Sequence, residues 1–131
     1  MEVDEGLVME VAGAADALDA ELHLLDRTFP VERLRISRES VPVTKRTQRG
    51  GSYFADVDVF RARARIRGGG VSDLVPRAML GPSTEFADVI VIAEGLIGGR
   101  RRRVILHTNL TNAVEGPSYA ELSLNVTGTE G

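Results

Sequence analysis

Two adjacent glycines, Gly98 and Gly99, stand between two runs of alternating apolar residues, and no other feature of the chain restricts its fold as tightly. Paired glycines supply the positive φ that a two-residue hairpin turn requires. Folding residues 86–97 back onto 100–110 puts Ala93 opposite Val104, Val91 opposite Leu106 and Val89 opposite Thr108, all on one side. On the other side Glu94 meets Arg103 and Ile92 meets Ile105. An opposite-charge cross-strand pair contributes a few tenths to about 1 kcal/mol. Both faces agree on one register, so the spacing predicts an antiparallel hairpin. The second face also carries Ile90 and is too apolar to stand in water, which predicts a cover from a helix or another subunit.

At the N-terminal end the apolar period is longer. Leu7, Val11, Ala14, Ala15, Leu18, Leu22 and Leu25 follow a helical ladder with the acids mostly off the stripe, which predicts an amphipathic helix over about 4–28, ended by Pro30. Beyond Pro30 the period falls to two and predicts strands over about 31–39, 52–67, 86–97, 100–110 and 118–127. Pro42 marks an edge strand with a bend, and Val43 to Ser52, closing on Gly50-Gly51, reads as a basic hairpin arm or loop. Within 52–67 the parity changes: Val57 and Val59 share one face, whereas Phe60, Ala62, Ala64 and Ile66 share the other. A β-bulge near 59–60, or a strand crossing into a neighbour, would reconcile them. Residues 68–85 have no readable period. The fold predicted is α+β, a single domain over 1–131, with the N-terminal helix packed on a mostly antiparallel meander sheet of about five strands.

Several function classes fall away. With no cysteine among 131 residues there is no disulfide framework, thiolate zinc site or cysteine nucleophile. Apolar runs are far shorter than a membrane-crossing helix needs, and the first residues are acidic where a targeting peptide is basic. These features predict no membrane partner and a place in the cytoplasm, or in a particle assembled inside cells. His23 reads as a helix-boundary residue, His107 as a strand residue near Asp88, and Asp56 with Asp58 as solvated surface. The glycine clusters at 50–51, 68–70 and 98–99 match no phosphate-binding loop and read as turns. No catalytic residue, metal ligand or cofactor is assigned, and an enzyme is not the favoured reading.

Charge is the remaining signal. Residues 1–29 hold eight acids against Arg27 alone, while the rest of the chain carries fifteen basic groups against eleven acids. The basic groups cluster as Arg61, Arg63, Arg65 and Arg67 along one side of a strand, as Lys45, Arg46 and Arg49 in the arm, and as the run Arg100 to Arg103. The first two clusters are the expected interface or anion-contacting residues. Separate acidic and basic surfaces predict a structural protein that forms a homo-oligomer or ring, alone or within a larger protein assembly. A helix, a sheet and a basic arm are similar in general form to the tail and connector rings of bacterial viruses, a likeness that rests on no shared motif and implies a virion component. Two alternatives stand beside it: nucleic-acid binding by the arginine-rich sheet face, and a small enzyme or ligand-binding domain with a pocket under the helix. Against nucleic acid, the six aromatic residues lie apart from the arginine-dense stretches or point elsewhere, without the interleaving that base stacking requires.

Overall fold

The computed structural model describes residues 2–24, 27–46, 48–67, 88–116 and 118–131. A helix α1 (Glu5–Ala14) and one 3-10 turn (Ala15–Ala17) precede six strands: β1 (Asp19–Leu24), β2 (Arg27–Arg46), β3 (Ser52–Arg67), β4 (Asp88–Ile97), β5 (Arg100–Glu115) and β6 (Tyr119–Glu130). Every pairing is antiparallel, and the strands close into a barrel in the order β1-β2-β3-β6-β5-β4. A helix beside a mostly antiparallel sheet is therefore present, but the sheet has six strands rather than five and is closed.

The extra strand comes from the region read as helix. Asp4 caps α1 by accepting a hydrogen bond from the Leu7 backbone N–H at 3.1 Å, and the helix ends at Ala14 rather than at 28. Leu18 and Leu22 lie four residues apart, a spacing that a helix and a strand share. Ala20, Leu22 and Leu24 are all buried while Asp19 and Glu21 are exposed, so the chain here obeys a period of two. β1 then closes the barrel between β2 and β4, pairing Leu22 with both Phe29 and Val91.

The β4–β5 hairpin has the register its sequence predicts, with Ala93 opposite Val104 and Glu94 opposite Arg103. Gly98 and Gly99 make its turn with φ of 63° and 83°. The predicted start at Phe86 and the segment 68–85 lie outside the described residues. Three bulges bend the sheet, and none is near 59–60. β3 runs in unbroken register against β2 from Ser52 to Arg65, and the irregularity sits at Glu32 on β2, between the pairs Val31–Ile66 and Arg33–Arg65. Glu32 flips the parity of β2, so Phe29 faces inward before it and Leu34 after it. The other two are at Thr111 and Thr127. Each of these threonines turns its hydroxyl on a neighbouring carbonyl: Thr111 Oγ1 donates to Ser123 O at 3.0 Å and Thr127 Oγ1 to His107 O at 3.1 Å.

A six-stranded barrel encloses little space, and side chains fill it. Leu22, Leu24, Ile66, Leu106, Leu110, Leu122 and Leu124 are inaccessible to solvent, interleaved with the small residues Ala62, Ala64 and Ala93. Each buried leucine contributes about 1.5–3 kcal/mol over its exposed state. Leu7, Val8 and Val11 of α1 join the same core. The helix lies across one end of the barrel, where Glu5 meets Arg38 of β2, Glu10 meets Arg102 of β5 and the Asp4 N–H donates to Thr129 Oγ1 of β6. No helix among the described residues is long and apolar enough to cross a membrane.

Candidate functional site

The inward side chains of the described strands are buried in one apolar core, and the polar chemistry lies on the outer wall and on what projects from it. Three features stand out, and the strand register builds each of them.

The first is an arginine wall. With Ala62, Ala64 and Ile66 inside, alternation turns Arg61, Arg63, Arg65 and Arg67 outward in one row, as their sequence predicts. What the sequence does not reveal is the neighbouring row. The bulge at Glu32 shifts β2 so that Arg33 stands directly opposite Arg65 and Arg35 opposite Arg63. Like charges in direct cross-strand register are destabilising. Acids answer part of the charge: Glu39 lies 2.9 Å from Arg61 and 3.0 Å from Arg63, Glu121 lies 3.8 Å from Arg65, and Glu32 lies 3.7 Å from Arg67. The Arg63 hydrogen bond, aided by the charges of Arg61 and Arg63, holds the Glu39 carboxyl below its ordinary value of 4.5 despite the desolvation that opposes it. Arg33 and Arg35 are exposed and have no ion pair among the described residues.

Three aromatic rings nevertheless lie against arginines. β3–β6 pairing sets Tyr119 beneath Arg65, with the guanidinium carbon 4.4 Å from the ring centroid. Arg38 covers Phe60 at 5.0 Å and Arg27 covers Phe29 at 5.5 Å. These rings are occupied by the protein's own cations and offer no free stacking platform.

The second feature is a ribbon. β6 pairs with β3 only from Arg61 to Arg67, and β1 pairs with β2 only up to Val31, whereas β2 and β3 continue together to Arg46 and Ser52. The two strands thus leave the barrel as a hairpin arm, past the end that α1 covers. This explains the parity change in β3 without a bulge. Phe60, Ala62, Ala64 and Ile66 face the barrel interior, while Ala55, Val57 and Val59 continue the outer face onto the ribbon, where they are half-buried. Lys45 and Arg46 occupy its last ladder positions, opposite Tyr53 and Ser52, and Arg49 lies exposed in its turn. Pro42 falls where no strand pairs with the far edge of β2, a setting that tolerates proline. Asp56 and Asp58 are exposed on the ribbon's other face, and Ser40 Oγ donates to Asp58 Oδ1 at 3.3 Å.

The third feature is a groove of about 440 Å³ over β1, β2 and β4. Its apolar lining is Leu18, Pro30, Val31 and Ile92, and its rim carries Asp19, Glu21, Glu32 and Glu94. Arg103 answers Glu94 at 3.4 Å. Two of the acids read from sequence as a helix surface, Asp19 and Glu21, thus sit on the barrel wall. The cover expected over Ile90, Ile92 and Ile105 is not α1, since no residue of α1 lines this groove and the three isoleucines stay partly exposed.

The histidines flank Ile90 on the same wall. His23 Nδ1 is 3.2 Å from Thr28 Oγ1, and His107 Nε2 is 2.9 Å from Glu130 Oε2. Arg102 reaches the helix end, donating to Glu10 Oε2 and to the Gly131 carbonyl, each at 3.2 Å. Among the described residues no group of three or more histidine or acidic side chains is placed to hold a metal ion. No protein-family model matches the chain, and no curated protein matches it in sequence.

Proposed function

We propose that this protein is a non-enzymatic assembly unit, in which the β2–β3 ribbon of one copy docks into the acidic groove of the next. The observation that carries this reading is the ribbon itself. An isolated two-stranded hairpin is marginal in water. This one carries Ala55, Val57 and Val59 on one face, and among the described residues no further strand pairs with either edge. Its tip segment contributes Lys45, Arg46 and Arg49, three positive charges with no acid between Val43 and Ala55. The groove answers both properties, with Val31 and Ile92 in its floor and four acids against one arginine around it. Arm and groove are different surfaces, so the contact is head-to-tail and yields a ring if its rotation closes. A viral tail or connector ring is one form that such an assembly takes.

The test is the native mass by light scattering behind a sizing column, on two charge-reversed variants. One carries Lys45→Glu, Arg46→Glu and Arg49→Glu; the other carries Glu21→Lys and Glu32→Lys. The wild type is expected as a discrete oligomer and each variant alone as a monomer. Mixed together, the variants should assemble again, because the native arm of one fits the native groove of the other and the reversed arm, now acidic, meets the reversed groove, now basic. A wild-type monomer at all salt concentrations sinks the reading.

The arginine wall favours a second reading, contact with a nucleic-acid backbone. Its expected signature is affinity that falls steeply between 50 and 200 mM salt, as about 0.9 per neutralised phosphate on logarithmic axes for a duplex. A ligand pocket under the helix has less support, since Leu7, Val8 and Val11 are packed into the core there.

A further inference from the structure

We infer that Arg33, Arg35, Arg63 and Arg65 form a binding site for a single phosphate-type oxyanion, independent of the arm and its groove. The two cross-strand pairs, Arg33–Arg65 and Arg35–Arg63, are adjacent rungs of the β2–β3 ladder. Directly opposed Cβ atoms are about 5 Å apart, and alternate residues along a strand about 6.6 Å, so four guanidinium stems rise from the corners of one small rectangle. They line a cleft of about 150 Å³ with Glu121 as the one acid in its lining. That is room for roughly five waters, the scale of one phosphate group rather than of a nucleotide.

Two of the four arginines are held in place and two are free to close. Arg65 lies on the Tyr119 ring and Arg63 donates to Glu39, whereas Arg33 and Arg35 are exposed without an ion pair among the described residues. Arg65 Nε is itself buried with no hydrogen-bond acceptor. An unpaired buried donor and two like-charge rungs both cost stability, and an oxyanion bound between the rungs relieves the repulsion. A carboxylate brings only two oxygens in one plane, and Glu39 already spends one on Arg61 and the other on Arg63. A tetrahedral oxyanion offers acceptors to several forks at once, which matches four converging arginines.

The experiment is a thermal-shift and calorimetric titration with inorganic phosphate, at ionic strength held constant with sodium chloride, on the wild type and on Arg33→Gln and Arg35→Gln. Both substitutions are at exposed side chains without an ion pair among the described residues, so the fold should survive them. Phosphate at ten times its Kd should raise the wild-type Tm by roughly 3–5 °C. Each variant should bind phosphate at least tenfold more weakly. Without phosphate each variant should melt at or above the wild-type temperature, because a repulsive rung has been removed; a merely structural arginine would lower it. Equal shifts with phosphate and with matched chloride would overturn the proposal, as would unchanged phosphate affinity in both variants. Binding of a single-stranded oligonucleotide with no response to inorganic phosphate would also overturn it, since that describes a diffuse basic surface.

Discussion

Glu39 is the residue on which the arginine wall is organised, because its two oxygens hold Arg61 and Arg63 at once. Its carboxyl titrates below the ordinary 4.5 in the folded state. The unfolded chain therefore takes up the proton first as pH falls, and the contribution of Glu39 is present above 4.5 and lost as pH drops through the folded value. Glu39→Gln should accordingly melt below the wild type at pH 7, and the gap should narrow as melts are repeated towards pH 3. A gap that is constant with pH would remove the ion pairs as its cause. In the core, Leu106→Ala should cost about 2–5 kcal/mol in urea unfolding, with the spread set by how far the barrel can collapse around the void. The outward row of Arg61 to Arg67 was legible in the sequence, since alternation with alanine and isoleucine fixes its direction. Arg33 and Arg35 were not, because their placement depends on a bulge at Glu32 that no local pattern announces.

Among the elements, the β4–β5 hairpin was the easiest to read, because turn chemistry and two patterned faces specify it together. Gly98→Ala should test that turn. It places a Cβ at φ +63° and within 2.8 Å of Glu10 Oε2, where Arg102 also binds, and is expected to cost about 1–2 kcal/mol in chemical denaturation. β1 was illegible for a physical reason: Leu18 and Leu22 satisfy both periods, and only the partners β2 and β4 decide between them. The ribbon was half legible, as a basic arm, but its parity change suggested a bulge because a strand leaving its own barrel has no local signature. Beyond the barrel each ribbon strand has one pairing partner among the described residues. Amide exchange at residues 41–45 and 53–57 should therefore be faster than at 62–66 by orders of magnitude in monomeric protein. Docking should slow it, and uniform protection in a monomer would show that the ribbon is stabilised from within the chain.

At the scale of the whole molecule, closure is the dominant fact. The β1–β4 pairing joins Asp19 to Glu94 and Leu24 to Val89, contacts far apart in sequence, so most of the loop entropy must be spent before the ring of hydrogen bonds is complete. Folding should be slow for a chain of this size, in the millisecond-to-second range typical of non-local β topologies, and stopped-flow refolding from urea would measure it. Closure was not visible in the sequence. It requires three bulges at Glu32, Thr111 and Thr127, and each strand pattern alone is equally compatible with an open sheet.

Among the described residues the helix and the ribbon both belong to one end of the barrel, and neither lies at the other. The protomer is therefore a vector. Copies added in line all point the same way, so a stack of them has a leading and a trailing face of different chemistry, and something that recognises only one face can stop growth there while leaving the other open.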